Sequence, residues 1–188
     1  MRRAGLAALL ALGGAFAVAG APLRTHPDGP PLRHTGGFGE PTCEVCHMGD
    51  APNDPAGSLR LEGVPARWDP GGSYELVVVL DHPELQRAGF ELAVRFAEGG
   101  EAGRQAGVLE PAGPRARVSL DSASGVWYAH HTLLGTEVVG HSTRWQIRWT
   151  APSAAAGPVV IHVAANAAND DASPLGDRIY TGAWFARR

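Results

Sequence analysis

The sequence predicts an all-β fold, a β-sandwich of about eight short strands, and three observations predict it. From residue 58 onward, apolar side chains recur at every second position in short runs, the period of a half-buried strand. Gly 25 and Pro 15 make up about a fifth of the 188 residues and break those runs at regular intervals. No stretch carries the 3.6-residue apolar period of a long amphipathic helix.

The runs follow one another in order. Leu59 and Leu61 mark a short first strand. Residues 73–80 align Tyr74, Leu76, Val78 and Leu80 on one face, and residues 89–96 align Phe90, Leu92, Val94 and Phe96. Residues 115–120 and 126–133 repeat the pattern, as do 143–150 with Trp145, Ile147 and Trp149. Residues 158–165 add Val159, Ile161 and Val163, and residues 178–185 close the series. Residues 58–188 are of ordinary length for one sandwich.

Met1-Arg2-Arg3 is a short basic start, followed by an Ala/Leu-rich apolar run and the small-x-small site Ala17-Val18-Ala19. Residues 1–19 therefore read as a secretory signal peptide. The run is too short and too rich in Ala and Gly for a retained span, and no later segment is apolar enough to cross a membrane. Cleavage removes Arg2 and Arg3, so fourteen basic residues face nineteen acidic ones and the formal charge moves from −3 to −5. The arginines are scattered, which argues against nucleic-acid binding. The expected product is exported, periplasmic or otherwise extracytoplasmic, with residues 20–57 forming a Gly/Pro-rich lead ahead of the sandwich at 58–188.

Both cysteines of the chain lie in Cys43-Glu44-Val45-Cys46-His47, inside that lead. A disulfide between them would close too small a loop to stabilise much. A zinc site needs two further ligands, usually a second pair at short spacing, which the chain lacks. CxxCH is also the signature of covalent haem attachment, and the chemistry explains its spacing. Two thiols must reach the two vinyl groups on one porphyrin edge while the next residue turns its imidazole under the iron. One helical turn does this. Pro41-Thr42 supplies its start with Thr42 as cap, and Gly49-Asp50-Ala51-Pro52 stops it. One haem c is thus expected on Cys43 and Cys46, with His47 as proximal ligand.

The sixth ligand narrows by elimination. Met1 leaves with the leader, Met48 adjoins His47 and cannot reach the opposite haem face, and the chain has no lysine. His26, His34, His82, His130, His131, His141 and His162 remain, along with an open or water-bound site. A second histidine gives a lower potential than a methionine would. His130 and His131 are adjacent on one expected strand and so should point to opposite faces, and periodicity alone does not choose between them.

Further blocks carry a likeness. Thr35-Gly36-Gly37-Phe38-Gly39-Glu40 ahead of the cysteines, Trp68-Asp69-Pro70-Gly71-Gly72-Ser73-Tyr74, Gly89-Phe90-Glu91-Leu92, Tyr128-Ala129-His130-His131-Thr132, Trp145-Gln146-Ile147-Arg148-Trp149-Thr150-Ala151-Pro152 and Ala165-Asn166-Ala167-Ala168-Asn169 occur in order, ending near Gly176-Asp177-Arg178-Ile179-Tyr180. The set resembles bacterial Reeler-like domains that carry CxxCH, of the choice-of-anchor V type. The resemblance implies an immunoglobulin-like sandwich and export. The family's His-Thr pair matches His131-Thr132, which makes His131 the first choice as distal ligand, with His130 second and His34 third. Such proteins often end in an anchor or sorting segment, whereas this sequence stops at Arg187-Arg188, so attachment is expected through a partner.

Asn166, Asn169, Asp170, Asp171 and Asp177 form a hard-oxygen cluster that suits Ca2+, although loops between strands are commonly rich in these residues. Trp127, Trp145, Trp149 and Trp184 read as sandwich core, with a haem-pocket lining as the other reading. No spacing points to hydrolase chemistry. The expected function is single-electron transfer by a monohaem c-type cytochrome with bis-histidine ligation, an electron carrier or redox subunit rather than an enzyme. Its partners are expected to be redox proteins, including a membrane respiratory complex. The alternative is a cell-surface or complex-assembly Reeler-like binding module in which haem is structural or absent.

Overall fold

The period-2 runs do form strands, and in the computed structural model, which describes residues 26–154 and 157–188, there are nine of them. They are β1 (Ser58–Glu62), β2 (Ser73–Asp81), β3 (Arg87–Phe96), β4 (Val108–Pro111), β5 (Ala116–Asp121), β6 (Val126–His131), β7 (Ser142–Thr150), β8 (Val159–Ala168) and β9 (Arg178–Ala186). The expected signal peptide lies outside the described residues.

All pairings between strands are antiparallel and build two sheets, one in the order β1-β2-β7-β4 and the other β5-β6-β3-β8-β9. Their inner faces meet in one core. Leu76, Val78, Leu80, Trp145, Ile147 and Trp149 come from the first sheet, and Phe90, Leu92, Val94, Ile161, Val163 and Tyr180 from the second. Phe90 and Trp145 touch across it with ring centroids 4.6 Å apart. Two of the buried indoles are satisfied, Trp145 Nε1 donating to the Gly135 carbonyl and Trp149 Nε1 to that of Ala106, each at 2.9 Å.

The expected sandwich of about eight strands stands, with the four-residue β4 as a ninth, and one expectation of the core needs correcting. Strand β4 buries only Leu109 and ends at Pro111, so it leaves too little alternation to be seen in sequence, and its place at a sheet edge suits its proline. Trp127 is exposed rather than core: it is paired with the likewise exposed Leu120 of the edge strand β5, next to the turn that joins β5 to β6.

That outer face sets the function of the lead. Strand β3 is buried at nine of its ten positions, on both sides, where a solvent-facing strand would alternate. Its outward residues Glu91 and Arg95 are only 0% and 4% exposed. Residues 26–57, which contain no strand, lie over them. Leu32 packs on Ala93, Val126 and Tyr128 in a second small apolar cluster. Gly37 sits on His162 so closely that a Cβ there would come within 2.5 Å of the imidazole, so only glycine fits.

Candidate functional site

The cysteine motif is a single helical turn, Cys43–Val45, seated on this outer face. Thr42 caps it as expected. Its Oγ1 accepts from the Glu44 N–H at 3.3 Å and donates to the Glu44 carboxylate at 2.8 Å. The N–H of Cys46 and that of His47 both reach the Cys43 carbonyl, at 3.2 and 2.9 Å, so both cysteines and the histidine belong to one turn. Both thiols are free. They differ in setting: Cys46 is exposed, while burial, and after it the nearby Glu91, pushes the Cys43 thiol up to about 12. At neutral pH the Cys43 sulfur is therefore protonated and a poor nucleophile.

His47 is held by residues far along the chain. Its Nδ1 lies 2.6 Å from Oδ2 of Asp177, a carboxylate 2% exposed at the entrance to β9. A neutral imidazole that donates from Nδ1 presents its lone pair at Nε2, the nitrogen a metal would take. Asn166 on β8 donates from Nδ2 to the same Asp177 oxygen at 3.2 Å. That amide lies 3.0 Å from His47 Nδ1 and 3.3 Å from Nε2. A donor nearly equidistant from both nitrogens sits beside the ring, not on the lone-pair axis of Nε2. Asn166 Oδ1 is buried with no hydrogen-bond partner among the described residues.

The residues after His47 are clamped in turn. Met48 N–H donates to the Pro174 carbonyl at 2.9 Å, and Gly176 N–H donates back to the Met48 carbonyl at 3.3 Å. Gly49 then passes so close that a Cβ would stand 2.7 Å from the Asp177 carbonyl oxygen. Val45, Met48 and Leu175 are exposed around this clamp.

The candidate distal histidines are placed differently from expectation. His130 and His131 do not separate to opposite faces. His131 Nε2 is 3.1 Å from the His26 carbonyl, and His130 is so close to Gly29 that a Cβ there would come within 2.3 Å of its ring. At His131 the pairing of β6 with β3 has stopped at Glu91–His130 while its pairing with β5 continues at Ala116, and the ring reaches back over the open β3 side to the Phe90 backbone. His131 has both nitrogens engaged: Nδ1 accepts from Phe90 N–H at 3.1 Å, and Nε2–H donates to His26. His130 is likewise engaged, through the His131 carbonyl and Ser119 Oγ, each at 3.0 Å. Burial holds both imidazoles below the usual histidine range, and hence neutral.

His34 is arranged otherwise. Its Nδ1 is 2.9 Å from the Pro31 carbonyl and 3.1 Å from that of Leu32, and its Nε2 makes no hydrogen bond among the described residues. Gly36 N–H donates to the Pro41 carbonyl at 2.9 Å, which folds the chain back between residues 36 and 41. The backbone N–H of His34 donates to Oε2 of Glu91 at 2.5 Å, and the same carboxyl is near enough to Cys43 to act on its thiol.

Glu91 is the buried centre of the face. Burial, helped by the charge of Glu40, pushes its carboxyl up to about 8, against the opposing pull of the His34 and Arg33 amides. Between the ordinary glutamate value and 8 the folded chain keeps a proton that the unfolded chain has lost. Stability must therefore fall as pH rises through that window, by roughly 1.4 kcal/mol per unit, and level off above it. A Glu91→Gln variant is expected to remove this slope. Urea titrations at pH 5, 7 and 9 read it directly, and an unchanged slope would contradict the assignment.

The expected calcium cluster divides between two tasks. Asn166 and Asp177 turn inward to His47, whereas Asp170 pairs with Arg87 at 2.9 Å and Asp171 accepts from Asn169 and Ser173 within its own loop. Among the described residues no three His, Cys, Asp or Glu side chains gather as a metal-holding group. In the sequence Asp177 and Asn166 stand out as oxygen donors of a cluster and as parts of the Reeler-like blocks. Nothing in the chain signals a partnership across 130 residues with His47.

No family model matches the chain, and no curated protein matches it. Among solved structures, the human F-spondin reeler domain is 22% identical, with 75% of this chain and 95% of that chain covered and a TM-score of 0.46. The Reelin-N domain of F-spondin is 22% identical, with 78% and 96% covered and a TM-score of 0.47. A cohesin module from a Clostridium perfringens family 33 glycoside hydrolase is 13% identical, with 70% and 96% covered and a TM-score of 0.48. These are likenesses of fold. The chemistry of the site belongs to this chain's own residues.

Proposed function

We propose that this chain is an exported c-type cytochrome with one covalent haem, built on a β-sandwich and passing single electrons between protein partners. One observation carries the reading. A single helical turn presents two free thiols and a histidine whose Nδ1 is committed to a buried carboxylate, which leaves Nε2 as the metal-binding nitrogen. The residues fit the group: Cys43 and Cys46 would carry its thioether bonds and His47 its iron, with the orphaned Asn166 oxygen beside the ring. Bound there, the group supplies a one-electron ferric/ferrous couple.

The chain's residues account for the rest. Thr42 and the Met48 clamp fix the turn, and Asp177 orients His47. His34 is proposed as the sixth ligand, since its Nε2 is free while those of His130 and His131 are spent. Its acidic balance suits docking to a basic partner, an encounter that should weaken with salt. No helix of the described residues is long and apolar enough to cross a membrane.

Intact-mass measurement on chain expressed with its leader and a c-type maturation system tests the reading. One added haem, mapped by peptide analysis to Cys43 and Cys46, is the expected result. A folded chain with unmodified thiols would return the protein to the alternative, a Reeler-like surface or assembly module.

A further inference from the structure

We propose that Asp177 is a positioning residue that sets the redox poise of the site, holding the His47 Nδ1 proton and so enriching Nε2 as an electron donor to iron. The inference rests on the haem reading above and deepens it.

Three observations converge on Asp177. Its Oδ2 is 2.6 Å from His47 Nδ1, a charge-assisted contact short enough to fix the ring and its tautomer. It is 2% exposed, so the negative charge acts with little screening by solvent. It is also built in: Asn166 Nδ2 donates to Oδ2 at 3.2 Å, Asn169 N–H reaches Oδ1 at 3.4 Å, and Gly49 leaves room for the motif to close onto the Asp177 backbone. The paired segments at Met48 and residues 174–176 hold the two partners together before any cofactor arrives.

The consequence follows from the charge. A carboxylate behind the imidazole raises the basicity of Nε2, and a more basic ligand favours the ferric ion over the ferrous ion. The effect is on a one-electron equilibrium. No bond is made or broken, and the proton stays between Nδ1 and Oδ2. A neutral partner of the same shape should therefore shift the couple toward ferrous iron.

Asp177→Asn in the haem-loaded protein is the test, with spectroelectrochemical titration as the readout. The expected shift is at least tenfold in the ferric/ferrous ratio at fixed potential, equal to 59 mV for one electron. Asp171→Asn, an exposed carboxylate of the same loop, should move the ratio less than twofold and so separates the hydrogen bond from a general loss of charge. A red Asp177→Asn protein with an unmoved midpoint overturns this inference alone, whereas a parent chain that never takes up haem overturns the reading beneath it. Should Asp177→Asn fail to fold, 15N spectra of His47 in the Cys43→Ser/Cys46→Ser chain decide. The Nδ1–H tautomer supports the proposal, and the Nε2–H tautomer overturns it.

Discussion

Glu40→Ala is expected to loosen the whole lead from the sandwich, at a cost of about 3–5 kcal/mol. Glu40 and Arg95 form an ion pair in which both side chains are only 4% exposed. The Tyr128 hydroxyl donates to the same carboxylate oxygen and accepts from Arg95 at 2.8 Å, while the Phe38 ring lies 5.4 Å from the guanidinium carbon. Deleting the carboxylate leaves a buried guanidinium without its counter-charge, which is the costly way to break such a pair. Burial raises the Glu40 carboxyl, but hydrogen bonds from Thr35, Tyr128 and Arg95 outweigh it and hold the group below the ordinary glutamate range. That stabilisation is present above the ordinary value and is lost as pH falls through the lowered one. Urea unfolding and limited proteolysis of residues 26–57 would measure the effect, and the Glu40→Met/Arg95→Met pair should recover most of it. A loss below 1 kcal/mol would show that the ion pair does not hold the lead.

The second large effect separates two histidines. His34→Ala is expected to convert a low-spin spectrum to a high-spin one, because it removes the proposed sixth ligand while leaving the sheet intact. His131→Ala is expected to keep the low-spin spectrum and lose about 2–4 kcal/mol of stability, since Phe90 N–H and the His26 carbonyl both lose their partner and a cavity opens. Absorption spectra and unfolding curves of the two variants decide between them. The reverse pattern would restore His131 as the ligand and make its backbone hydrogen bonds a property of the haem-free chain.

The difference between the two histidines shows what a sequence can carry. Strand identity was legible because burial on one face writes itself into every second residue, as in Leu76, Val78 and Leu80. The helical turn was legible because its cap, Thr42, and the residues it starts are consecutive. Neither condition holds for the outer face. Glu91 and Arg95 alternate with Phe90, Leu92 and Val94 as solvent-facing residues would, yet both are buried, because a segment fifty residues earlier lies over them. The pattern of a covered polar face and that of an exposed one are the same in sequence. His131 was expected by the alternation rule to part from His130. Pairing with β3 ends one residue earlier although pairing with β5 continues at Ala116, which leaves the ring room to reach back to the Phe90 backbone. Asp177 was read as part of a loop cluster because its partner lies 130 residues away.

The central claim is that this sandwich carries haem on Cys43 and Cys46, and a pyridine haemochrome spectrum tests it most directly. Residues 1–188, expressed in a host with export and c-type haem maturation, should keep their colour through denaturation and acid–acetone extraction and give the α-band of haem c. A folded chain that is colourless under these conditions, or that surrenders its haem on extraction, would contradict the claim.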